Sequence, residues 1–391
     1  MRAHSRPIDG PVDLDDVAGV DGMLFVRDGV GVAARGVAAR VPIDEVVERL
    51  GAIDHLDEIG GARPLAIGCV PFEPGAPCEL VIPAVTVVRR PDGRQWVTSI
   101  DGADTTFEPA ARLLPHAQRF EVGPLTPVDR YLAAVTAVRD AVRSGRLTKA
   151  VIAREVEVRS DEPIDVRAVL ARLRSTFGSS HRYSIDGFVG ASPELLVSVD
   201  GDTIRSHPLA GTAPRTGDAD VDRRVAEALL ASEKDQIEHR VVIDMIHDTL
   251  LPWCSYLDWE PEPSIVTVAN VQHLGTAMEG RLSDPRPDVL QLVRVLSPTP
   301  ALGGFPRAEA LALIAEVEGF RRGRYGGAVG WVDAAGDGTW AVAIRCAELA
   351  PDRRSARLLA GGGIVAESDP LAELAETQAK FQAMLSAIVR P

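Results

Sequence analysis

The chain has 391 residues, 46% of them hydrophobic, and its 42 Lys and Arg against 56 Asp and Glu leave a net charge of −14. That balance argues against nucleic acid or an anionic membrane as the main partner, so an anionic small molecule would need local positive groups or a cation. The four cysteines, Cys69, Cys78, Cys254 and Cys346, are scattered with no CxxC pair, which argues against zinc and a disulfide framework.

The N-terminal stretch MRAHSRPIDGPVDLDD has no signal-like apolar core, and no later run approaches the length of a membrane span, so a cytoplasmic protein is expected. Residues 1–120 mix short β-like runs (GMLFVRDGVGVAARG, PLAIGCVPFE, ELVIPAVTVVRR) with one helical piece, IDEVVERLGAI, and read as a β-rich part of the fold. Residues 121–391 then alternate helices and strands. A helix over 127–147 carries Leu132, Val135, Val138 and Val142 on one face and stops at Gly145. TKAVIAREVEV reads as a strand, 164–177 as a helix, and FVGASPELLVSVDG and DTIRSHPLAGTAPR as two strands. One long helix is expected over about 220–251, then a strand in VTVANVQHLGTAMEGRL and helices over 287–296 and 307–318.

YGGAVGWVDAAGDGTWAVAIRCAEL reads as a hairpin turning at AAGDG, and RLLAGGGIV as a strand interrupted by three glycines. The last helix opens with Asp369 as N-cap and Pro370 in its first turn. The class is α+β, with large, mostly antiparallel sheets packed face to face, helices on their outer faces, and the two regions intertwined in one domain.

Two helices carry carboxylates three residues apart: Asp235 and Glu238 in SEKDQIEH, Glu373 and Glu376 in LAELAET. Helical periodicity puts Glu238 on the side of Ala228, Ala231, Val242 and Met245, and Glu376 on an alanine stripe with Ala372, Ala379, Ala383 and Ala387. Taken alone, such spacing favours a buried helix-to-helix salt bridge. Two pairs aimed at one point would instead hold a hard divalent cation, magnesium suiting best.

Further along, the triple glycine at 361–363 could receive a carboxylate or phosphate on its backbone N–H groups. Arg345, among Val342, Ile344 and Cys346, is placed for a bidentate anion contact. Glu194 follows Pro193 beside Leu195 and Leu196, where a carboxyl keeps its proton and can serve as a general acid. Lys149 opens the TKAVIA strand as a candidate base. Only three lysines occur, Lys149, Lys234 and Lys380, so arginine covers the ordinary surface roles.

KAVIAR, GASPELL, HPLAGT, SEKDQIEH, SPTPALGGFP, YGGAVGW, AIRCAEL and AGGGIV followed by ESDPLAELAET resemble, in order and spacing, the chorismate-utilising enzymes, over residues 125–391 and more loosely before that. The resemblance implies the chorismate-binding enzyme fold and a magnesium ion on Glu238 and Glu376, with Asp235 and Glu373 holding its waters. It also implies substrate contacts from Gly211, Thr212, His273, Tyr325, Arg345, Lys380 and Gly361, Gly362 and Gly363. Lys149 would activate water and Glu194 would protonate the departing hydroxyl, as in isochorismate synthases. The branch that attacks the ring with a lysine has it where this chain has Ala210.

Ala210, Ala301, Leu302 and Ile344 fall at positions that would set specificity, and PTPALGGFP with IRCAEL looks most like isochorismate synthases. Tyr325 and Ser297 depart from residues common in that branch and leave salicylate synthase as the alternative, ahead of an anthranilate synthase large subunit or a non-catalytic chorismate-binding subunit. With water as nucleophile, no glutamine amidotransferase partner is expected, and a monomer suffices.

Overall fold

A computed structural model of the chain describes residues 1–8, 10, 12–107, 118–268 and 271–390, Lys234 and Glu238 by their backbone alone. The N-terminal third supplies β1 (Arg2–Pro7), α1 (Leu14–Ala18), β2 (Met23–Arg27), β3 (Val30–Pro42), α2 (Val46–Gly51), β4 (Asp54–Asp57), β5 (Leu65–Val70), β6 (Glu79–Arg89) and β7 (Gln95–Ile100). Next come β8 (Phe120–Pro124), α3 (Val128–Arg143), β9 (Lys149–Ser160), α4 (Val166–Phe177), β10 (His181–Ile185), β11 (Phe188–Ser192), β12 (Leu195–Asp200), β13 (Thr203–His207) and β14 (Leu209–Pro214). Then follow α5 (Ala219–Ala231), α6 (Glu233–Leu250), β15 (Cys254–Trp259), β16 (Ser264–Val268), β17 (Val271–Gly275) and β18 (Met278–Leu282). The last part holds α7 (Val289–Leu296), β19 (Gly304–Phe305), α8 (Arg307–Glu318), β20 (Ala328–Asp333), β21 (Gly338–Val342), β22 (Cys346–Leu349), β23 (Ser355–Ile364) and α9 (Pro370–Val389).

The strands form two large sheets that share β6. One runs β4-β1-β7-β6-β3-β2-β10-β11-β22-β23-β9, with β19 and β8 along the outer edge of β9. The other runs β6-β5-β20-β21-β12-β13-β18-β15. Among the described residues every pairing is antiparallel except β1 with β4.

Strand alternation separates two apolar layers. Met23 and Phe25 of β2 face a core shared with Val329 and Trp340 of the other sheet, whereas Leu24 and Val26 face outward. That outer layer is closed by α1, α4 and α9 through Val17, Leu170, Phe381 and Met384. The expected α+β class with face-to-face sheets and outer helices is what forms. A third, three-stranded sheet, β14-β17-β16, carries α5 and α6 against β14.

Several expected elements divide. The helix expected over about 220–251 is two helices. Ser232 takes an extended conformation (φ −73°, ψ 108°) and its Oγ accepts from the Asp235 N–H, so it ends α5 and caps α6. Ala228 and Ala231 therefore lie on a different helix from Glu238, and the stripe read through all of them does not exist. The two long strands after α4 are four, because Pro193 and Pro208 each lack the N–H that a continuing ladder requires. The strand in VTVANVQHLGTAMEGRL falls within β16, β17 and β18, with residues 269–270 outside the description.

Arg345 is not on a strand. It occupies a bend with φ 53° where the chain leaves β21, paired to β12 and β20, and enters β22, paired to β11 and β23. The triple glycine does not interrupt its strand either. Gly361, Gly362 and Gly363 pair in register with Ala153, Ile152 and Val151.

Candidate active site

A cavity of about 310 Å³ opens where β9, β14, β23, α6 and α9 converge. Its described lining includes Lys149, Glu194, Ala210, Gly211, Thr212, Asp235, His273, Ala301, Leu302, Tyr325, Ile344, Arg345, Gly361, Gly363, Glu373, Glu376 and Lys380. Residues spread over more than two hundred positions thus meet in a space of the size that takes one small molecule. Of the expected site residues, Gly362 is not in the lining. A Cβ there would sit 2.6 Å from Glu373 Oε2, so this glycine lets α9 lie close on β23. Ser297 also lies away from the cavity, at the end of α7. For Glu238 only the backbone is described, one helical turn beyond Asp235 on α6.

The catalytic candidates are both buried. Lys149 is 3% exposed at the first position of β9, and Glu194 is 3% exposed between β11 and β12. Burial pushes the Glu194 carboxyl up to about 8, against smaller lowering effects from the Leu209 backbone and Lys149. At neutral pH it therefore holds its proton.

Opposite signs gather around the rest of the cavity. Lys380 Nζ lies 2.6 Å from Glu376 Oε1 and donates to the Gly361 carbonyl at 2.8 Å. Burial acts to raise the Glu376 carboxyl, yet Lys380 and the other nearby positive groups prevail and hold it below its ordinary value. The glycine strand therefore presents a carbonyl that Lys380 grips, in addition to backbone lining the cavity. Glu373 Oε1 accepts from Ser368 Oγ at 2.7 Å.

The buried residues of α9 are Glu373, Thr377, Phe381, Ala383, Met384, Ala387 and Ile388, so Ala383 and Ala387 of the expected alanine stripe do face inward. Ala372 is exposed and the Glu376 side chain is 37% exposed, so Glu376 stands at the edge of the buried face and not at its centre. Phe381 and Met384 bury more apolar surface than the alanines and decide which face turns inward.

His273 is paired across the small sheet with Thr212, its Nδ1 3.1 Å from the Gly211 carbonyl. A carbonyl only accepts, so Nδ1 carries the proton, and Nε2 accepts from Arg345 Nη2 at 3.3 Å. Desolvation, then Arg345 and Lys380, push the ring down to about 3, which keeps it neutral. Gly211 takes φ +73° at a register shift in β14, where a side chain would be strained. Tyr325 is buried, its hydroxyl 3.2 Å from where a Cβ on Gly361 would stand.

Asp235, Glu373 and Glu376 bring hard carboxylate oxygens from two helices to one cavity, and that donor type suits a hard divalent cation that keeps some of its waters. Among the described residues no three acidic, His or Cys side chains are already gathered in metal-binding geometry.

Sequence reasoning missed Val151, Pro193, Leu209 and Leu359 in the lining, along with the supports behind it. Arg154, 4% exposed, donates to Thr377 Oγ1 at 2.8 Å and Gln378 Oε1 at 2.9 Å and ties α9 to β9. Its place in KAVIAR, an arginine on an apolar strand, was the available signal.

Residues 89–389 match the family model described as chorismate binding enzyme. A Mycobacterium tuberculosis protein provisionally named isochorismate synthase MenF is 41% identical over 341 residues, 84% of this chain and 87% of that one. Isochorismate synthase DhbC of Bacillus subtilis is 36% identical over 348 residues, 86% and 84% of the two chains. The crystal structure of a provisionally named 2,3-dihydroxybenzoate-specific isochorismate synthase, DhbC, from Bacillus anthracis superposes with a TM-score of 0.81 at 32% identity, covering 97% of this chain and 98% of that one.

Proposed function

The chain belongs to the chorismate binding enzymes, and from that premise we propose that it is an isochorismate synthase, converting chorismate to isochorismate. The carrying observation is Glu194, a carboxylic acid that burial keeps protonated at neutral pH, in the same cavity as Lys149. Water adds at ring C2, the two ring double bonds each shift by one position, and the C4 hydroxyl leaves as water, so composition is conserved.

Lys149 takes the proton from the attacking water, and Glu194 gives one to the departing hydroxyl. Arg345 and Lys380 receive the enolpyruvyl carboxylate, with Tyr325 beside it, and the backbone at Gly211 and Thr212 faces the ring carboxylate. His273 holds Arg345 in place through Nε2. With Ala210 where the ring-attacking branch has its lysine, that position carries no amine. Magnesium is the proposed cofactor, with Glu238 and Glu376 as its holders and Asp235 and Glu373 beside them. It would neutralise the ring carboxylate and draw electrons from the ring. Water as nucleophile requires no ammonia-delivering subunit.

The test is to incubate the protein with chorismate and Mg²⁺ and resolve the products. Isochorismate alone is expected. Salicylate with pyruvate, or anthranilate in the presence of ammonia, would overturn the reading. Removing divalent metal with EDTA should abolish turnover, and Mg²⁺ should restore it. Lys149→Ala should lose the reaction by a factor of ~10²–10⁴ while keeping the wild-type circular dichroism.

A further inference from the structure

Backbone groups of β9 at Lys149, Val151, Ala153 and Glu155 point away from β23, toward the outer edge of the sheet. At one end that edge is paired by β19, which matches Lys149 and Ala150, and at the other by β8, which begins at Val156. The Val151 N–H donates to the Gly303 carbonyl, and Glu155 is met by Thr126. Between them, the Val151 carbonyl and the Ala153 N–H face no strand among the described residues.

An ion pair fills that gap. Arg322 Nη2 donates to the Val151 carbonyl at 2.6 Å, and Glu318 Oε1 accepts from the Ala153 N–H at 2.7 Å. The two side chains are each 1% exposed and are joined by Arg322 Nε to Glu318 Oε2 at 2.9 Å. Arg322 Nη1 also donates to the Leu302 carbonyl at 2.8 Å, and the guanidinium lies 4.2 Å over the Phe72 ring. One pair thus grips the wall bearing Lys149 and Val151, the wall bearing Ala301 and Leu302, and the segment leading to Tyr325.

We propose that Glu318 and Arg322 are positioning residues for the reaction, standing in for a missing strand so that Lys149 and the Leu302 loop keep one fixed spacing across the cavity. This assignment rests on the isochorismate synthase reading for its kinetic consequence, whereas its structural consequence does not. A buried charge pair can often be exchanged for apolar side chains of similar volume without loss of fold, but such side chains cannot replace the two backbone contacts.

The test uses Arg322→Lys, which retains the charge, and the double variant Glu318→Leu/Arg322→Met, which removes the pair. Folded variants should show kcat ~10–100-fold lower with KM within about threefold, the double variant being the more impaired. Amide hydrogen exchange at residue 153 should accelerate in the double variant while residues 156–160 keep their protection. Folded variants with wild-type kcat, or a loss confined to KM, would overturn the proposal.

Should the variants fail to fold, exchange in the wild-type protein decides. The Ala153 amide should be as protected as the rungs paired to β8, and exchange at the rate of an exposed edge would overturn the surrogate strand. If the wild-type protein makes no isochorismate, the functional reading fails, while the exchange measurements still decide the clamp.

Discussion

Glu194 illustrates how one residue's surroundings set its chemistry. Its folded value near 8 lies above the ordinary 4.5, so the folded chain holds a proton that the unfolded chain releases in between. The stabilisation is full below about pH 4.5 and is lost as pH rises toward 8. A general acid with that value in the free enzyme predicts kcat/KM that falls on the alkaline side with an apparent pKa near 8, measured as kcat/KM against pH. Glu194→Gln should lose activity by a factor of ~10²–10⁴. Its thermal midpoint should also depend less on pH between 4.5 and 8 than that of the wild type. A variant with an unchanged alkaline limb would assign that limb to another group. The neutral His273 should contribute no limb near its usual value, because burial and Arg345 hold it near 3.

At the scale of elements, the final helix was legible in detail and the central one was not. Asp369 and Pro370 mark the start of α9, and Asp369 accepts from Leu371 and Ala372 as a cap should. Ser232 carries the same kind of signal three residues before Asp235, but helical periodicity continues on both sides and hides the break. Pro193 and Pro208 were visible, yet a strand's switch from one sheet to another leaves no mark in local alternation. Arg345 misled for the same reason, since its apolar neighbours belong to two different sheets.

Side-chain anchors between elements were the least legible, because Arg154 and Thr377 are 223 residues apart. That anchor carries a prediction. Arg154→Leu should cost about 1–3 kcal/mol of stability, since Thr377 and Gln378 lose a buried charged donor. It should also weaken the apparent affinity for Mg²⁺ about tenfold, because α9 carries Glu373 and Glu376. Titrating activity against Mg²⁺ and comparing thermal midpoints measures both effects, and loss of stability with unchanged Mg²⁺ dependence would make the anchor purely structural.

The whole molecule is built by interleaving the β-rich N-terminal third with the remainder. β2 pairs with β10, and β5 pairs with β20 along six positions. β6 is the strand through which both sheets pass. The resemblance in the sequence is densest after residue 125, where the chemistry lies, although the two regions are expected to be intertwined in one domain. Strand pairings cross that boundary. A fragment starting at residue 125 would expose the edges of β10 and β20 and uncover apolar residues such as Tyr183 and Val329, which the intact protein buries completely. The full chain should therefore melt in one cooperative transition that chorismate and Mg²⁺ shift as a unit. The fragment 125–391 should be insoluble or aggregate on size-exclusion chromatography, and mixing it with separately produced 1–124 after joint refolding should recover activity. A soluble monomeric fragment that turns over chorismate would show that the N-terminal third is an accessory layer and not part of one folding unit.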